Sequence, residues 1–478
     1  MGGIIKSPST EDKLDILAAS ARYDVCLATC SNNLQGGVGR FRDFRDPVTR
    51  WIYPAVVPGR GRVGILKVLL TNACRNHCTY CNLATHCDSE RRMGFAPEEL
   101  ADVFMRFVRR KMVHGIFLSS GVGANPDSVM ERMIRTAQIL RTRFGFRDYI
   151  HLKLLPGVSY SLVEQAVRYA DRISVNLEAP TPGYLRDIAP DKDFVKELLL
   201  PMKWAADLLR KRREGGDRGI KAASQTTQFV VGATQESDLE ILKTVDWIYR
   251  ELYVFRSYYS AYQPDPRGSL GEAGSPPGPS AASRAAGASP DSFGANPLLR
   301  EHRLYQCDFL LRAYGFRFDD LVFDEAGRVP TAVDPKTAHA ILHPELFPVD
   351  VNGAEEHVLL RVPGIGPTAA RRIVESRLQS PLRSLEDLKA VGAWSRRAGP
   401  YVEFSGRRER FEEEPIQQWL FDEPGPPGWR TGLEPYQKEK IEERADGSGK
   451  PQPYAYPGQV GKRYLYAQTA EQKKLTCR

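Results

Sequence analysis

The sequence predicts an α/β protein whose main sheet is parallel and curls into a partial barrel, with a small all-α unit at its C-terminal side. Three observations predict it. Six short apolar runs alternate with helical patterns between residues 63 and 262. A Pro/Gly/Ser/Ala-rich stretch at 264–297 then interrupts the pattern. Beyond it, residues 353–404 read as a compact helical unit rather than as further strands.

Residues 9–22 form the first predicted helix, with Ser9 as its cap and Asp12 reaching back. Residues 31–60 are rich in Gly, Arg and Pro and read as irregular, so 1–60 is an N-terminal extension. The predicted strands are VGILKVLLT (63–71), GIFLSSG (115–121), DYIHLKLL (148–155), DRISVNLEA (171–179), TTQFVVGAT (226–234) and LYVFRSYYSAY (252–262). Helices near 97–111, 126–144, 160–170, 192–213 and 236–251 separate them. Strands that alternate with helices pair in parallel under a helical cover, and a partial (β/α)6 barrel is the natural closure. The barrel domain is expected over 61–345. Its 264–297 stretch is a disordered insertion, too poor in apolar surface to offset its ordering entropy. A helix at 298–314 resumes the structure, and the segment to about 352 reads as a tether. The helical unit occupies 346–404, and 405–478 is a largely disordered tail.

Hydrophobic residues make up 42% of the 478, enough for a sizeable core. No apolar run reaches the ~18 residues of a membrane span, and no membrane association is expected. The start lacks a basic region followed by an apolar run, so a reducing, cytoplasmic setting is expected. The MGG start matches a myristoylation site only loosely and reads as chance. The net charge is +8, and residues 361–410 hold eleven Lys/Arg against five Asp/Glu, an excess of six. That concentration suits a polyanionic partner.

The decisive pattern is TNACRNHCTYCN, with Cys74, Cys78 and Cys81 spaced CxxxCxxC directly after the first strand. In a cytoplasmic protein clustered cysteines point to metal or redox chemistry before disulfides. Three thiolates on one short loop can ligate three irons of a 4Fe–4S cluster and leave the fourth open to a small molecule. A zinc site completed by Cys87, His77 or His86 is the alternative that the residues themselves allow.

On this motif and its place in the β/α order, the chain resembles the radical S-adenosylmethionine superfamily. The resemblance covers about 61–263 and resumes at 298–345. It implies a 4Fe–4S cluster, S-adenosylmethionine as cosubstrate and a low-potential electron donor. It also implies site residues. Tyr80 would lie over the adenine or simply cover the loop, and Ser119, Ser120 and Gly121 would hold the methionine amino group, mainly by backbone because the usual acid is missing. Ser174, Asn176 and Glu178 alternate along the fourth strand and would face the ribose, and Gly232 would meet the adenine by its backbone. A satisfied buried network is the competing reading of those three polar residues. His151 and Lys153 share a face of the third strand, toward substrate or toward solvent. Tyr258, Tyr259 and Cys307 could relay a hydrogen atom.

A second motif follows in VLLRVPGIGPTAARRIVESR (358–377), which resembles a helix-hairpin-helix built on Pro363, Gly364, Ile365 and Gly366. The glycines permit a tight hairpin, and the N–H groups that open the next helix can bind a DNA phosphate. Thr368, Arg371 and Arg372 stand on that helix, while Leu359, Leu360, Val362, Ile365, Ala369 and Ile373 read as its core. SLEDLKAVG (384–392) would add a packing helix. The order barrel-then-hairpin resembles a bacterial family of DNA modification or repair radical proteins linked to a uracil-DNA-glycosylase-like protein. LSSGV (118–122), YIHLK (149–153), REHRLYQ (300–306) and FPVDVN (347–352) match its signatures.

Weaker signals remain. Cys26 and Cys30 could join Cys87 or Cys307 at a second cluster, or be scattered structural thiols. Arg300, Glu301, His302 and Arg303 read by default as a solvated helix face, and the family resemblance allows a barrel-mouth or DNA role. Gln417, Leu420 and Phe421 of QQWLF resemble the peptide that docks bacterial sliding clamps. The expected function is radical chemistry on DNA. An RNA-modifying radical enzyme, and a repair factor with a purely structural cluster, stand beside it. Thr368 where a catalytic lysine would be needed, and cysteines nearly 300 residues before the hairpin, weigh against the last.

Overall fold

The computed structural model describes residues 8–21, 51–57, 61–84, 91–262, 297–409 and 430–431. Cys26, Cys30, Cys87, Cys477, nearly all of the 264–297 insertion and Gln417, Leu420 and Phe421 lie outside the described residues.

One seven-stranded sheet runs in chain order: β1 (Ile52–Val57), β2 (Gly61–Leu69), β3 (Gly115–Ser119), β4 (Tyr149–Lys153), β5 (Arg172–Ser174), β6 (Ser224–Val231) and β7 (Val254–Ala261). β2 to β7 are parallel, and β1 pairs antiparallel with β2. β1 corrects the expectation that 31–60 is irregular. Pro54 cannot donate to a ladder, yet an edge strand tolerates it because its outer side needs no partner.

Each parallel strand is followed by its neighbour, so every crossover has the same hand and the helices collect on one side of a curled sheet. That outer face is apolar: Leu66, Val68, Ile116, Leu118, Ile150, Leu152 and Ile173 are all 1% exposed or less. Gln225 shares this face, and its amide donates to the Met202 carbonyl of the helix Leu200–Arg213. The register puts a different set on the inner face. Lys67, Phe117, His151, Arg172 and Ser224 form one row, and Ser119, Lys153, Ser174, Thr226 and Arg256 the next.

Local signals explain the covering elements. The helix Thr10–Ser20 has the expected capping box, with the Asp12 N–H donating to Ser9 Oγ at 3.1 Å. The helix Pro97–Arg109 starts at a proline and buries Leu100, Val103, Phe104 and Phe107. The helix expected at 192–213 instead opens as a π-helical turn over Phe194–Leu199 before the α-helix Leu200–Arg213. Pro201 cannot donate to the carbonyl four residues back, and the wider turn accommodates that gap. The strand expected at 171–179 is regular only over Arg172–Ser174. Beyond it the chain stays tied to β6 by irregular bonds, Val175 N–H to Thr226 O at 3.2 Å and Leu177 N–H to Thr227 Oγ1 at 3.1 Å, and by one isolated bridge, Glu178 to Phe229.

The chain divides into two compact units. The first holds residues to Glu236 and from Trp247 to Pro297, and so the whole sheet. The second holds Ser237–Asp246 and the described residues from Leu298 onward. Residues 298–345, expected with the barrel, group with the second unit because Asp238 anchors them. Arg300 Nε donates to Asp238 Oδ1 at 2.7 Å, and the Val329 N–H to Asp238 Oδ2 at 2.9 Å. Arg300 and Glu301 are therefore buried, at 7% and 2% exposure, and not a solvated face. The core around the hairpin comprises Leu359, Val362, Ile365, Ala369, Ile373 and Leu388 among others, as the sequence predicted for the first five.

Ile373 is fully buried in that small core. Ile373→Ala is expected to cost about 3 kcal/mol of local stability. Hydrogen exchange would show it as faster amide exchange across 355–377 with unchanged protection in β2 to β7.

Candidate metal centre and nucleic-acid interface

The cysteine loop leaves the C-terminal end of β2, and three straps hold it. The first is the end of β3. Gly121 N–H donates to Thr71 O at 2.8 Å and Gly123 N–H to Ala73 O at 3.0 Å, and Cys74 bridges Gly123. Gly121 must be glycine, since a Cβ there would stand 2.2 Å from the Ala73 carbonyl oxygen. The second strap is 91–93. Asn72, fully buried, donates to Arg91 O at 3.0 Å and accepts from the Met93 N–H at 2.8 Å. Arg92 spans the loop's two ends: its guanidinium donates to Asn72 O at 2.7 Å and to Leu83 O and Ala84 O at 3.0 Å each. The third strap is the turn after the helix Pro182–Ile188. Thr79 N–H donates to Ile188 O at 2.9 Å, and Asp191 accepts from both the His77 N–H (2.6 Å) and its ring Nδ1 (2.9 Å). Neither Arg92 nor the 188–192 turn stood out in the sequence.

The electrostatics suit a cluster of thiolates. Burial pushes the Cys78 thiol up and Cys81 up to about 12; Cys74 adds to the shift of both, and Cys78 to that of Cys81. Iron binding would release those protons. A compensating cation is built in. Lys192, its side chain 7% exposed, reaches Tyr80 OH at 2.9 Å and Glu178 Oε1 at 3.3 Å. Burial works against its charge, but Cys78, Glu178 and Cys81 outweigh that and hold it above the ordinary lysine value. Among the described residues no three His, Cys, Asp or Glu side chains close on a single ion position. Three thiols spread round one loop, with a glycine seat and a buried cation beside them, fit a cluster whose corners lie on different irons.

The sequence-named candidates fall into place unevenly. Tyr80 and Glu178 meet at Lys192, beside the cysteines. Glu178 takes a left-handed backbone, φ 66°, so it does not continue the alternation that would align it with Ser174 and Asn176. Ser174 is buried and bonded instead to His151 Nε2 at 2.9 Å. Ser120 Oγ donates to Thr71 O at 3.3 Å, so this stretch braces the loop as well as facing the site. The Gly232 N–H is engaged by Glu236 Oε1 at 2.6 Å, which removes it as a donor to an adenine. His151 and Lys153 do share the inner face. Tyr258 and Tyr259 do not: Tyr258 is on the inner row, while Tyr259 is fully buried and stacked on Phe229 on the outer face. Cys307 lies in the second unit, fully buried on the helix Pro297–Ala313, where burial raises its thiol well above the ordinary value.

In the second unit the helix Glu356–Leu359 leads through the hairpin into the helix Pro367–Arg377. Gly364 has φ 84°, and a Cβ there would be 2.6 Å from the Trp394 carbonyl oxygen. The Trp394 N–H returns a bond to Gly364 O at 2.9 Å, so the loop before the helix Ser395–Ala398 lies against the hairpin. Pro363 and Ile365 are buried and shape the turn rather than touch a partner. Thr368, Arg371, Arg372 and Arg396 are exposed, and so is Trp394 at 61%, which the sequence reading did not single out. Lys336, on the helix Pro335–Leu342, donates to the Ile365 carbonyl at 2.6 Å and braces the hairpin from within. Burial pulls Lys336 down to about 7, with Asp334 opposing the shift and Arg397 adding to it.

Two predictions follow from these contacts. Arg92→Ala leaves three carbonyls without their donor, a loss of roughly 1–3 kcal/mol in loop order. Reconstituted protein should then hold less than about half the wild-type iron and sulfide, with the far-ultraviolet spectrum unchanged. Lys336 binds its proton more weakly folded than unfolded. The hairpin unit should therefore gain stability as pH rises from about 7 to 9, by at most ~1.4 kcal/mol per unit. Urea titrations at the two pH values would measure it, and Lys336→Met should flatten the dependence.

Residues 68–248 match the family profile described as the Radical SAM superfamily, and residues 347–393 the helix-hairpin-helix motif. No curated protein matches the chain. Several solved structures are similar. Methylornithine synthase is 12% identical with a TM-score of 0.34, over 42% of this chain and 53% of that one. The FeFe-hydrogenase maturase HydG from Carboxydothermus hydrogenoformans is 15% identical with a TM-score of 0.31, over 42% and 44%. The cobalamin-dependent S-adenosylmethionine radical enzyme OxsB is 13% identical with a TM-score of 0.28, over 40% and 27%. The chain thus spans about half or less of the length of these structures. By the two profile matches, the chain carries a radical SAM domain followed by a helix-hairpin-helix motif.

Proposed function

We propose that the protein is a radical SAM enzyme, working with a 4Fe–4S cluster and S-adenosylmethionine, and that it modifies or repairs DNA. The observation that carries this reading is the hairpin surface. A helix start at Gly366 has Thr368, Arg371 and Arg372 exposed along its first turns, beside an exposed Trp394. Helix-start N–H groups and arginines are a phosphate-binding combination, and such contacts position a duplex without reading its sequence.

Cys74, Cys78 and Cys81 would hold the cluster, which when bound supplies the electron that cleaves S-adenosylmethionine to a 5′-deoxyadenosyl radical. The chain's own residues do the rest. Ser119, Ser120 and Gly121, locked against the cysteine loop, offer a rigid backbone edge for the cosubstrate's amino acid end. Tyr80, held by Lys192, offers its ring to the adenine. Glu178, with Asn176 two residues before it, offers polar groups to the ribose, while Ser174 stays bonded to His151. A base stacked in a duplex cannot reach such a site, so the substrate base would be flipped or presented single-stranded.

The test is anaerobic 5′-deoxyadenosine formation by reconstituted, reduced protein, with duplex DNA, duplex RNA or no polymer. DNA should raise the rate, and the triple alanine variant at Cys74, Cys78 and Cys81 should abolish it. Stimulation by RNA alone, or by neither, would sink the DNA reading. Arg371→Gln with Arg372→Gln should weaken duplex binding about tenfold at moderate salt and lower the salt slope by about two. Trp394→Ala should weaken it with no change in that slope.

A further inference from the structure

The turn that straps the cysteine loop also carries a buried ion pair. The side chains of Lys192 and Glu178 are 7% and 6% exposed and lie 3.3 Å apart. Backbone bonds fix both residues. The Lys192 N–H donates to Ala189 O at 3.0 Å. The next residue, Asp193, caps the π-helical turn by accepting from the Val195 and Lys196 N–H groups at 2.9 and 2.8 Å. Glu178 is clamped to β6: its N–H donates to Gln228 O at 2.9 Å, and its carbonyl accepts from the Val230 N–H at 2.8 Å. That clamp holds Glu178 at φ 66°, a conformation an L residue keeps only when its surroundings impose it.

Such a pair adds little to stability, because taking both charges out of water costs about as much as their attraction returns. Its position suits an electrostatic role. Lys192 Nζ donates to Tyr80 OH at 2.9 Å, and Tyr80 lies between Cys78 and Cys81 in the loop. The pair is not neutral toward the cysteines. Burial is the largest influence on Cys78, and after it the charge of Lys192, which favours the thiolate, outweighs that of Glu178, which opposes it. Lys192 favours the Cys81 thiolate as well. The positive end of the pair therefore faces the loop.

A 4Fe–4S cluster gains one negative charge on reduction, and its potential follows the fixed charges, hydrogen bonds and solvent exposure around it. Buried charges are poorly screened, so a cation there favours the reduced form and an anion the oxidised form. We infer that the Lys192–Glu178 pair sets the reduction potential of the cluster, Lys192 raising it and Glu178 lowering it. The inference rests on the reading that Cys74, Cys78 and Cys81 hold a 4Fe–4S cluster, and adds to it the residues that tune electron uptake. One electron passes from a low-potential reductant to the cluster, and the pair acts on it through space, with no bond made or broken.

The experiment reconstitutes full-length protein anaerobically with iron and sulfide and titrates it against redox dyes with a titanium(III) reductant, without S-adenosylmethionine. The electron paramagnetic resonance signal of the reduced cluster gives the reduced fraction. Lys192→Met should lower the ratio of reduced to oxidised cluster about tenfold at a fixed potential, a downward shift of about 59 mV for one electron. Glu178→Gln should raise that ratio by about threefold, the smaller effect because Glu178 acts on Cys78 less than Lys192 does. Lys192→Arg, which keeps the charge, should stay near wild type. So should Tyr80→Phe, which removes the phenol bond and keeps both charges. Lys192→Met leaves Glu178 buried alone and can misfold. The Lys192→Met/Glu178→Gln double variant leaves no lone charge and should still titrate below wild type. Equal potentials in wild type, both single variants and the double variant overturn the inference. A Tyr80→Phe shift as large as that of Lys192→Met also overturns it, because loop positioning and not charge would then be the cause. Wild-type protein that forms no 4Fe–4S cluster sinks the cluster reading and the inference with it, whereas an intact cluster with unmoved potentials sinks the role of the pair alone.

Discussion

The right-handed crossover is the constraint from which the rest of the first unit follows. Six parallel strands in sequential order must place all their helices on one side. The outer face then pays for its ordering with apolar burial, down to fully enclosed Leu66, Ile116 and Leu152. Among the described residues the inner face carries no helical layer, and it holds polar residues such as His151 and Ser174. The same geometry brings the loops after β2, β3 and β5 to one edge of the sheet, where the cysteines, the Ser119–Gly121 stretch and Glu178 stand together.

At that edge the cysteine loop has little regular structure, so its shape is imposed from outside. Backbone carbonyls and N–H groups that a helix or strand would satisfy internally are taken up by Arg92, Asn72, Ile188 and Asp191. Burial makes free thiolates costly there, and Lys192 offsets part of that cost by placing a buried cation beside Cys78 and Cys81. Rigidity and charge are therefore supplied by residues outside the CxxxCxxC motif.

The second unit solves a different problem. Its hairpin backbone must approach another loop closely, which only a residue without Cβ allows at Gly364. The apolar side chains of the motif, with Ile365 and Ile373 at its centre, are spent on a small core. Thr368, Arg371 and Arg372 are left outward on the helix that the core holds, with Lys336 fixing the turn from inside through the Ile365 carbonyl.

Much of this was legible in the sequence, because the signals are local. Alternating apolar runs set the six parallel strands, the cysteine spacing set the cluster loop, and Gly364 and Gly366 set the hairpin. The boundaries that failed were those decided by distant partners. β1 exists because β2 offers an edge, β5 ends early because Glu178 turns back to β6, and residues 298–345 follow Asp238 into the second unit. Arg92 is one arginine among many in the sequence, and only folding places it across both ends of the cysteine loop. Likewise Lys67, Lys153, Arg172 and Arg256 are scattered over 190 positions and become one inner face only through strand register. Periodicity along the chain determines what each element is, and the pairing of elements far apart in sequence decides which side chains meet.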